Sequence, residues 1–211
     1  MENHTENPKK PWIIFDLDHT LFDTTEFKKD IFATLKAYGV NNTTAQSSFK
    51  EFVARHDGNY DILSHCEELL QKKHLASLDE VRAFLASPLE QHLFRDAKKI
   101  LRELRARGYY LVLLTKGIER FQNFKIERTG LKYFFAAIKI VEREKEKGLA
   151  KLSPPNGSYF VNDREDETER VMHAYPNLEY ILFTNPNKKT EGPQTSIRKI
   201  TSLQELLAII P

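Results

Sequence analysis

The chain has 211 residues, of which 40% are hydrophobic and 29% are charged, and its formal net charge at pH 7 is +2. This length allows one sizeable core with room for a small second lobe, and the composition is typical of a globular protein. The small net charge argues against a nucleic-acid binder, and no apolar run approaches the roughly 20 residues that span a membrane.

Two further features indicate where the protein works. The first 11 residues are polar and lack the apolar centre of a signal peptide. Cys66 is the single cysteine, which excludes an intrachain disulfide, and its place in a helical pattern favours packing over nucleophilic chemistry. We therefore expect a cytoplasmic protein without nucleic-acid or membrane partners.

The first predicted element is a strand. The apolar run Trp12-Ile-Ile-Phe15 is typical of a strand buried on both faces of a parallel sheet. Asp16 and Asp18 follow it, at the strand end where open α/β sheets place their ligand sites. In an extended chain the two carboxylates would point the same way, whereas a tight turn would split them between a metal and a substrate.

Residues 24–87 carry amphipathic helical patterns and no convincing strand. Apolar residues at helical spacing predict several helices, and Ser77 with Glu80 forms a capping box for the last one. We therefore predict a helical cap at residues 24–87, inserted into a core that is formed by residues 1–23 and 88–211.

From residue 96 onward, predicted strands and helices alternate. Buried strands are predicted at residues 109–114, 137–141, 159–161, 180–183 and near 197–200. Strands separated by helices indicate a parallel sheet with right-handed crossovers. The predicted fold is therefore α/β, with a Rossmann-like parallel sheet core and an inserted α-helical cap subdomain.

The segment Asp16-x-Asp18-x-Thr-Leu-x-Asp23 resembles the first motif of the haloacid dehalogenase-like hydrolases. Matches to the other three motifs of that family follow in order after later strands. The run Leu114-Thr-Lys-Gly117 is followed by Phe121-Gln122, Lys125, Gly130-Leu131 and Tyr133-Phe134, and resembles the branch with a helical cap after the first motif. The resemblance covers the core and the position of the insertion.

The resemblance implies roles for the acidic residues. Asp16 would be the nucleophile that attacks phosphorus and forms an aspartyl-phosphate. Asp18 would be the general acid for the leaving oxygen and then the base that activates water. Magnesium would be held by the carboxylates of Asp16 and Asp163 and by the backbone carbonyl of Asp18. Dehalogenases of the family lack the second aspartate, so Asp18 favours phosphoryl transfer.

The second and third motifs imply phosphate-binding groups. The hydroxyl of Thr115 would hydrogen-bond a phosphoryl oxygen with Lys116 beside it, although a cap on the next helix would also explain this threonine. The third motif is a lysine that neutralises the nucleophile and the phosphate. We choose Lys145 because it closely follows the third strand. Lys147 and Lys151 are the alternatives, in a charged run that is also typical of a solvated helix face.

The fourth motif departs from the usual Gly-Asp with a second acid four positions later. Asn162 replaces the glycine, Asp163 keeps the metal position, and Glu167 is the second acid, with Asp166 as the alternative. An acidic helix N-terminus, favoured by the helix dipole, would by itself explain residues 165–167. It would not explain an aspartate directly after a buried strand.

The predicted function is Mg²⁺-dependent hydrolysis of a small phosphomonoester through an aspartyl-phosphate intermediate. The cap would exclude water and select the substrate, with residues 55–61, Phe22 and Lys28 as candidate contacts. The partner would be a small phosphorylated metabolite, and the chain would be a monomer or homodimer. The alternatives are a phosphomutase on the same scaffold and a non-catalytic binding domain with a degenerate fourth motif.

Overall fold

A computed structural model describes residues 10–36, 39–56, 60–73, 83, 86–184 and 197–211. Among them is a six-stranded parallel sheet in the order β3-β2-β1-β4-β5-β6. The strands are β1 (Trp12–Phe15), β2 (Tyr110–Lys116), β3 (Ala137–Val141), β4 (Tyr159–Asn162), β5 (Glu179–Phe183) and β6 (Arg198–Ile200). This is a strand order of doubly wound α/β proteins, and it confirms the predicted Rossmann-like α/β fold.

Helices connect most of the successive strands. In chain order they are α1 (Thr24–Lys36), α2 (Asn42–Arg55), α3 (Ile62–Lys73), α4 (Ala97–Ala106), α5 (Glu119–Arg128), α6 (Lys145–Leu152), α7 (Glu165–Ala174) and α8 (Leu206–Ile209). Short 3₁₀ helices lie at Glu90–His92, Leu131–Tyr133 and Leu203–Glu205. Within the described ranges, no helix is both long enough and apolar enough to cross a membrane.

Both faces of the central strand are buried, because side chains alternate along it. Ile13 and Phe15 of β1 belong to the larger apolar cluster, whereas Ile14 belongs to a second cluster with Leu149 of α6 and Val171 of α7. Burial on both sides explains the continuous apolar run of β1. Since β1 pairs with β2 and β4, the end of β1 is flanked by the ends of those two strands.

Helices α1, α2 and α3 lie in the segment predicted to form the cap. The buried residues of α1 include Phe27, Ile31 and Leu35, which recur at helical spacing. The predicted capping box of Ser77 and Glu80 lies outside the described residues. The cap boundaries at 24–87 therefore stay a prediction.

Strand β2 is longer than the sequence indicated. It ends at Lys116 rather than at residue 114, because its last residues continue the pairing with β3 through Thr115 opposite Ile140 and Lys116 opposite Val141. Thr115 consequently lies inside the strand and not in a loop after it.

Candidate active site

A tight turn follows β1 and carries both aspartates of the first motif. The carbonyl oxygen of Leu17 accepts the backbone N–H of Leu21 at 2.9 Å, and His19 adopts a left-handed conformation with φ 59°. The turn directs the carboxylates of Asp16 and Asp18 to different partners. The chain therefore forms the tight turn and not the extended arrangement, and the division of the two carboxylates between a metal and a substrate stays a prediction.

A cavity of about 330 Å³ opens at the carboxyl ends of β1, β2 and β4. Parallel strand ends meet at one edge of the sheet, so residues far apart in the chain line this cavity together. Its described lining has five cationic and four acidic side chains, an excess of positive charge that suits an anionic ligand. Six residues predicted from the motifs are among them: Asp16, Asp18, Lys116, Lys145, Asp163 and Glu167.

Lys145, the first residue of α6, is buried against Asp16. Its Nζ lies 2.8 Å from Oδ1 of Asp16 and 3.1 Å from Oε2 of Glu167. It also donates a hydrogen bond of 3.0 Å to Oδ1 of Asn162. Three acceptors thus match the three protons of the ammonium group, which fixes its charge beside the carboxylate of Asp16.

The two alternative lysines lie elsewhere. Lys147 is exposed and pairs with Glu144, and Lys151 is exposed in the last turn of α6. Neither side chain lines the cavity. The structure therefore places Lys145, and not the alternatives, against Asp16.

Burial dominates the titration of Asp16. It raises the pKa of the Asp16 carboxyl above the usual value, and the charge of Lys145 opposes that rise without cancelling it. For Lys145, burial acts to lower the pKa, but the charges of Asp16 and Glu167 outweigh it and the pKa is raised. Lys145 therefore favours the ionised form of Asp16, and burial opposes it.

Glu167 on α7 contacts several cations. Its Oε1 accepts a hydrogen bond from Nζ of Lys116 at 2.9 Å and lies 3.3 Å from a guanidinium nitrogen of Arg164. Burial alone would raise the pKa of Glu167, but Lys145 and Lys116 lower it to about 2. The alternative second acid, Asp166, is exposed, pairs with Arg164 and does not line the cavity.

Asp18 is held from two helices. Nζ of Lys125 on α5 lies 2.5 Å and 2.6 Å from its two carboxylate oxygens. Thr24 of α1 donates to it at 2.5 Å, and Gln122 of α5 donates at 3.0 Å. Burial would raise the pKa of Asp18, but Lys125 and these hydrogen bonds lower it to about 2. At neutral pH Asp18 is therefore ionised, and the same contacts weaken it as a base.

Thr115 is fully buried near the end of β2. Among the described residues its hydroxyl has no hydrogen-bond partner, an uncommon state for a buried polar atom and one that fits a ligand. Thr115 itself does not line the cavity, whereas the next two residues, Lys116 and Gly117, do. The alternative role as a helix cap is wrong, because Ile118 occupies the capping position of α5.

Oxygen donors suited to a hard cation gather at the same end of the sheet. Asp16 and Asp163 both line the cavity, and burial raises the pKa of Asp16, an effect that a bound cation would oppose. The carboxylate of Asp18 is taken by Lys125, which leaves its backbone carbonyl as the group for a metal. In the described part of the chain, no three acidic, histidine or cysteine side chains form a metal-binding group. Two carboxylates and a carbonyl still fit Mg²⁺, which completes its shell with water and phosphate oxygens.

Several residues of this site received no role from the sequence, including Lys125, Gln122 and Asn162. Lys125 and Gln122 lie three positions apart on α5 and are 1% and 3% exposed. Asn162, in place of the family's glycine, supplies a hydrogen bond to Lys145. The sequence could have indicated Lys125 and Gln122, because they are polar residues at helical spacing on the buried face of α5.

Comparisons with known proteins agree with this architecture. The model of a family described as haloacid dehalogenase-like hydrolase matches residues 13–150, which is more than half of the chain. A comparison with curated proteins gave no match.

Solved structures match nearly the whole chain. A haloacid dehalogenase-like hydrolase from Burkholderia xenovorans is 22% identical with a TM-score of 0.74, over 95% of this chain and 97% of the other. The HAD-hydrolase YfnB from Bacillus subtilis, bound to magnesium, is 18% identical with a TM-score of 0.63, over 95% and 99%. A protein from Thermotoga maritima described as a β-phosphoglucomutase is 15% identical with a TM-score of 0.61, over 95% and 98%. An L-2-haloacid dehalogenase is also among the matches, and at these identities the likeness shows the fold.

Proposed function

The chain belongs to the haloacid dehalogenase-like hydrolases, and from this premise we propose that it is a Mg²⁺-dependent phosphatase. It hydrolyses a small phosphomonoester through an aspartyl-phosphate on Asp16. The observation that carries the proposal is the buried carboxylate of Asp16 in contact with Lys145, in a cavity that also contains a second aspartate, Asp18.

In the first step, a carboxylate oxygen of Asp16 attacks phosphorus, and the bond from phosphorus to the leaving oxygen breaks. The fixed charge of Lys145 offsets the repulsion between this carboxylate and the anionic phosphate. Lys116 offers a second cation to the phosphoryl oxygens, and the unpartnered hydroxyl of Thr115 is the proposed third donor among the described residues.

In the second step, water attacks the phosphorus of the aspartyl-phosphate, which releases inorganic phosphate and restores Asp16. Asp18 takes the proton of this water, and it regains in this way the proton that it gives to the leaving oxygen in the first step. The low pKa of Asp18 makes its proton-donating form scarce. Esters whose leaving group needs no proton, such as aryl phosphates, are therefore turned over fastest.

The carboxylates of Asp16 and Asp163 and the backbone carbonyl of Asp18 are the proposed ligands of Mg²⁺. When bound, the ion supplies positive charge that orients and neutralises the phosphate. Added charge beside Asp16 also favours its ionised form, against the effect of burial on its pKa. A related structure described as bound to magnesium supports this assignment.

A phosphomutase is the second candidate, because one similar structure is described as a β-phosphoglucomutase. A mutase keeps the phosphate on its product, so isomerised sugar phosphate would appear without free phosphate. Dehalogenases share the fold, but Asp18 beside Asp16 favours attack on phosphorus over attack on carbon. For the phosphatase we propose a small phosphorylated metabolite as partner, a cytoplasmic location, and a monomer or homodimer.

The test measures phosphate release from p-nitrophenyl phosphate with and without Mg²⁺. We expect turnover that requires Mg²⁺ and that falls by roughly 10⁴-fold or more in Asp16→Asn, since the nucleophile is lost. Asp96→Asn is the matched control, because Asp96 is an exposed residue before α4. Its activity should equal that of the wild type.

Three results would count against the phosphatase. An Asp16→Asn variant with the full wild-type rate would show that Asp16 is not the nucleophile. Full turnover in EDTA would show that the reaction does not need a metal ion. Absence of activity on a broad panel of phosphate esters, together with a tight protein partner in pull-downs, would support a non-catalytic binding domain.

A further inference from the structure

Lys28 of α1 reaches the cavity from the inserted helices and is held there by aromatic rings. Its Nζ lies 4.3 Å from the ring centroid of Phe49 and 5.5 Å from that of Tyr60. Tyr60 also lines the cavity, and its hydroxyl is hydrogen-bonded to Nδ1 of His65 at 3.0 Å. Cation–π attraction to two positioned rings therefore fixes the ammonium group without neutralising it.

The charge of Lys28 is not balanced by a carboxylate. Among the described residues that line the cavity, it is the one lysine or arginine that forms no ion pair. The other four have a carboxylate oxygen within 2.9 Å and are Lys116, Lys125, Lys145 and Arg164.

A partly buried ammonium group without an anion is unfavourable, because it has lost water without gaining an opposite charge. Burial lowers the pKa of Lys28, and the charge of Asp18 in the same cavity opposes this effect only in part. A cation that is held in this state can gain a full ion pair from a ligand that brings its own negative group.

We propose that Lys28 binds a second anionic group of the substrate, located on the alcohol portion of the phosphomonoester. This inference rests on the proposed phosphatase function and narrows its substrates to esters that carry a carboxylate or a further phosphate. The phosphoryl group itself is placed at Asp16, where Lys145 and Lys116 already supply positive charge. The carboxylates of Asp16, Asp18 and Glu167 pair with other lysines and not with Lys28, so we assign Lys28 to another group of the same ligand.

The test compares kcat/KM within two pairs of esters that differ in the second charge. One pair is 3-phosphoglycerate and glycerol 3-phosphate, and the other is fructose 1,6-bisphosphate and fructose 1-phosphate. Lys28→Met removes the charge and keeps the apolar stem, whereas Lys28→Arg keeps the charge. Lys29→Met is the matched control, because Lys29 is exposed on the same helix and pairs with Glu26. Turnover of p-nitrophenyl phosphate is measured in parallel.

We expect the wild type to prefer the charged member of at least one pair. Lys28→Met should reduce that preference about tenfold or more, the usual effect of losing one hydrogen bond between charged groups. Lys28→Arg should retain most of the preference, and Lys29→Met should leave it unchanged. The ester pair whose preference changes in Lys28→Met shows whether Lys28 binds a carboxylate or a second phosphate.

Two results overturn the inference while the phosphatase proposal stands. One is a wild type that turns over p-nitrophenyl phosphate but prefers neither charged ester. The other is a Lys28→Met variant whose kcat/KM falls by the same factor for the charged and the neutral ester of each pair. Absence of turnover of p-nitrophenyl phosphate and of all four metabolite esters with Mg²⁺ refutes the phosphatase proposal, and the inference falls with it.

Discussion

At the scale of single residues, the charge balance of the cavity depends on Lys145. Its ammonium group serves Asp16, Glu167 and Asn162 together. Removing it leaves two buried carboxylates near each other without their shared cation, and an uncompensated buried charge is strongly destabilising. Stability and catalysis should therefore respond to this residue together.

Lys145→Met should lower kcat/KM for an aryl phosphate by about 10²–10³-fold, because the charge that offsets the repulsion between nucleophile and phosphate is gone. It should also lower the free energy of unfolding by about 3 kcal/mol. Steady-state kinetics and urea denaturation measure the two effects. Lys147→Met, two residues further on and exposed, should change neither. If kcat/KM and the free energy of unfolding fall equally in both variants, the contact of Lys145 with Asp16 is not the cause of the losses.

The pair of Asp18 and Lys125 makes stability depend on pH in acid. The pKa of Asp18 is lowered from 3.8 to about 2 in the folded protein. Because the folded-state pKa is depressed, the pair stabilises the fold fully above about pH 4, and this contribution is lost as the pH falls from about 4 to 2. A shift of this size corresponds to about 2 kcal/mol.

Lys125→Met should therefore lower the free energy of unfolding by at least about 2 kcal/mol at pH 7. The difference in this free energy between the variant and the wild type should become smaller below about pH 4. Urea denaturation at several pH values, in EDTA to remove bound cations, measures this. Lys132→Met is the control, since Lys132 is exposed and its nearest carboxylate, that of Glu127, is 4.0 Å away. If the free energies of unfolding of Lys125→Met and the wild type differ by the same amount from pH 7 to pH 2.5, the ion pair of Lys125 and Asp18 does not contribute as proposed.

At the scale of elements, α6 positions Lys145 by lying very close to the sheet. A Cβ at Gly148 would lie 2.8 Å from Cγ1 of Val141 and 2.9 Å from Cδ1 of Leu114. Such distances are well inside van der Waals contact, so only glycine permits this approach without a shift. Since Lys145 is in the first turn of the same helix, the packing of α6 sets the reach of its ammonium group toward Asp16.

Gly148→Ala should lower the free energy of unfolding by about 1–3 kcal/mol, because the helix or its neighbours must move to admit the methyl group. Helix propensity alone predicts the opposite sign, a gain of roughly 0.5–1 kcal/mol. Urea denaturation therefore distinguishes crowding from propensity. Ala150→Gly, at an exposed position of α6, is the control and should cost about 1 kcal/mol without loss of kcat/KM. A more stable Gly148→Ala protein would mean that the gap accommodates the methyl group.

At the scale of the whole molecule, the cavity joins the core with the inserted helices. Arg120 of α5 forms an ion pair of 2.5 Å with the buried Asp61, directly before α3. Thr24 at the start of α1 and Lys125 in the core meet on Asp18. These contacts bring the charge of Lys28 into the same cavity as the carboxylate of Asp16. The position for the phosphoryl group and the proposed position for the second anion thus come from different parts of the fold.

The sequence by itself determined the α/β fold and the place of the cavity. Strands buried on both faces require continuous apolar runs, so β1, β2 and β4 are visible in the sequence. The carboxyl ends of parallel strands meet at one edge of the sheet, so polar residues near those ends, such as Asp16, Lys116 and Asp163, were expected together.

Only the tertiary structure decided which side chains meet there. The sequence favoured Lys145 over Lys147 because it closely follows the third strand, and the structure places the ammonium group of Lys145 2.8 Å from Asp16, whereas Lys147 pairs with Glu144. Lys125 and Asp18 are 107 positions apart, and no local pattern signals their contact. Periodicity reports which face of a helix is buried, but ion pairs between elements depend on how those faces pack.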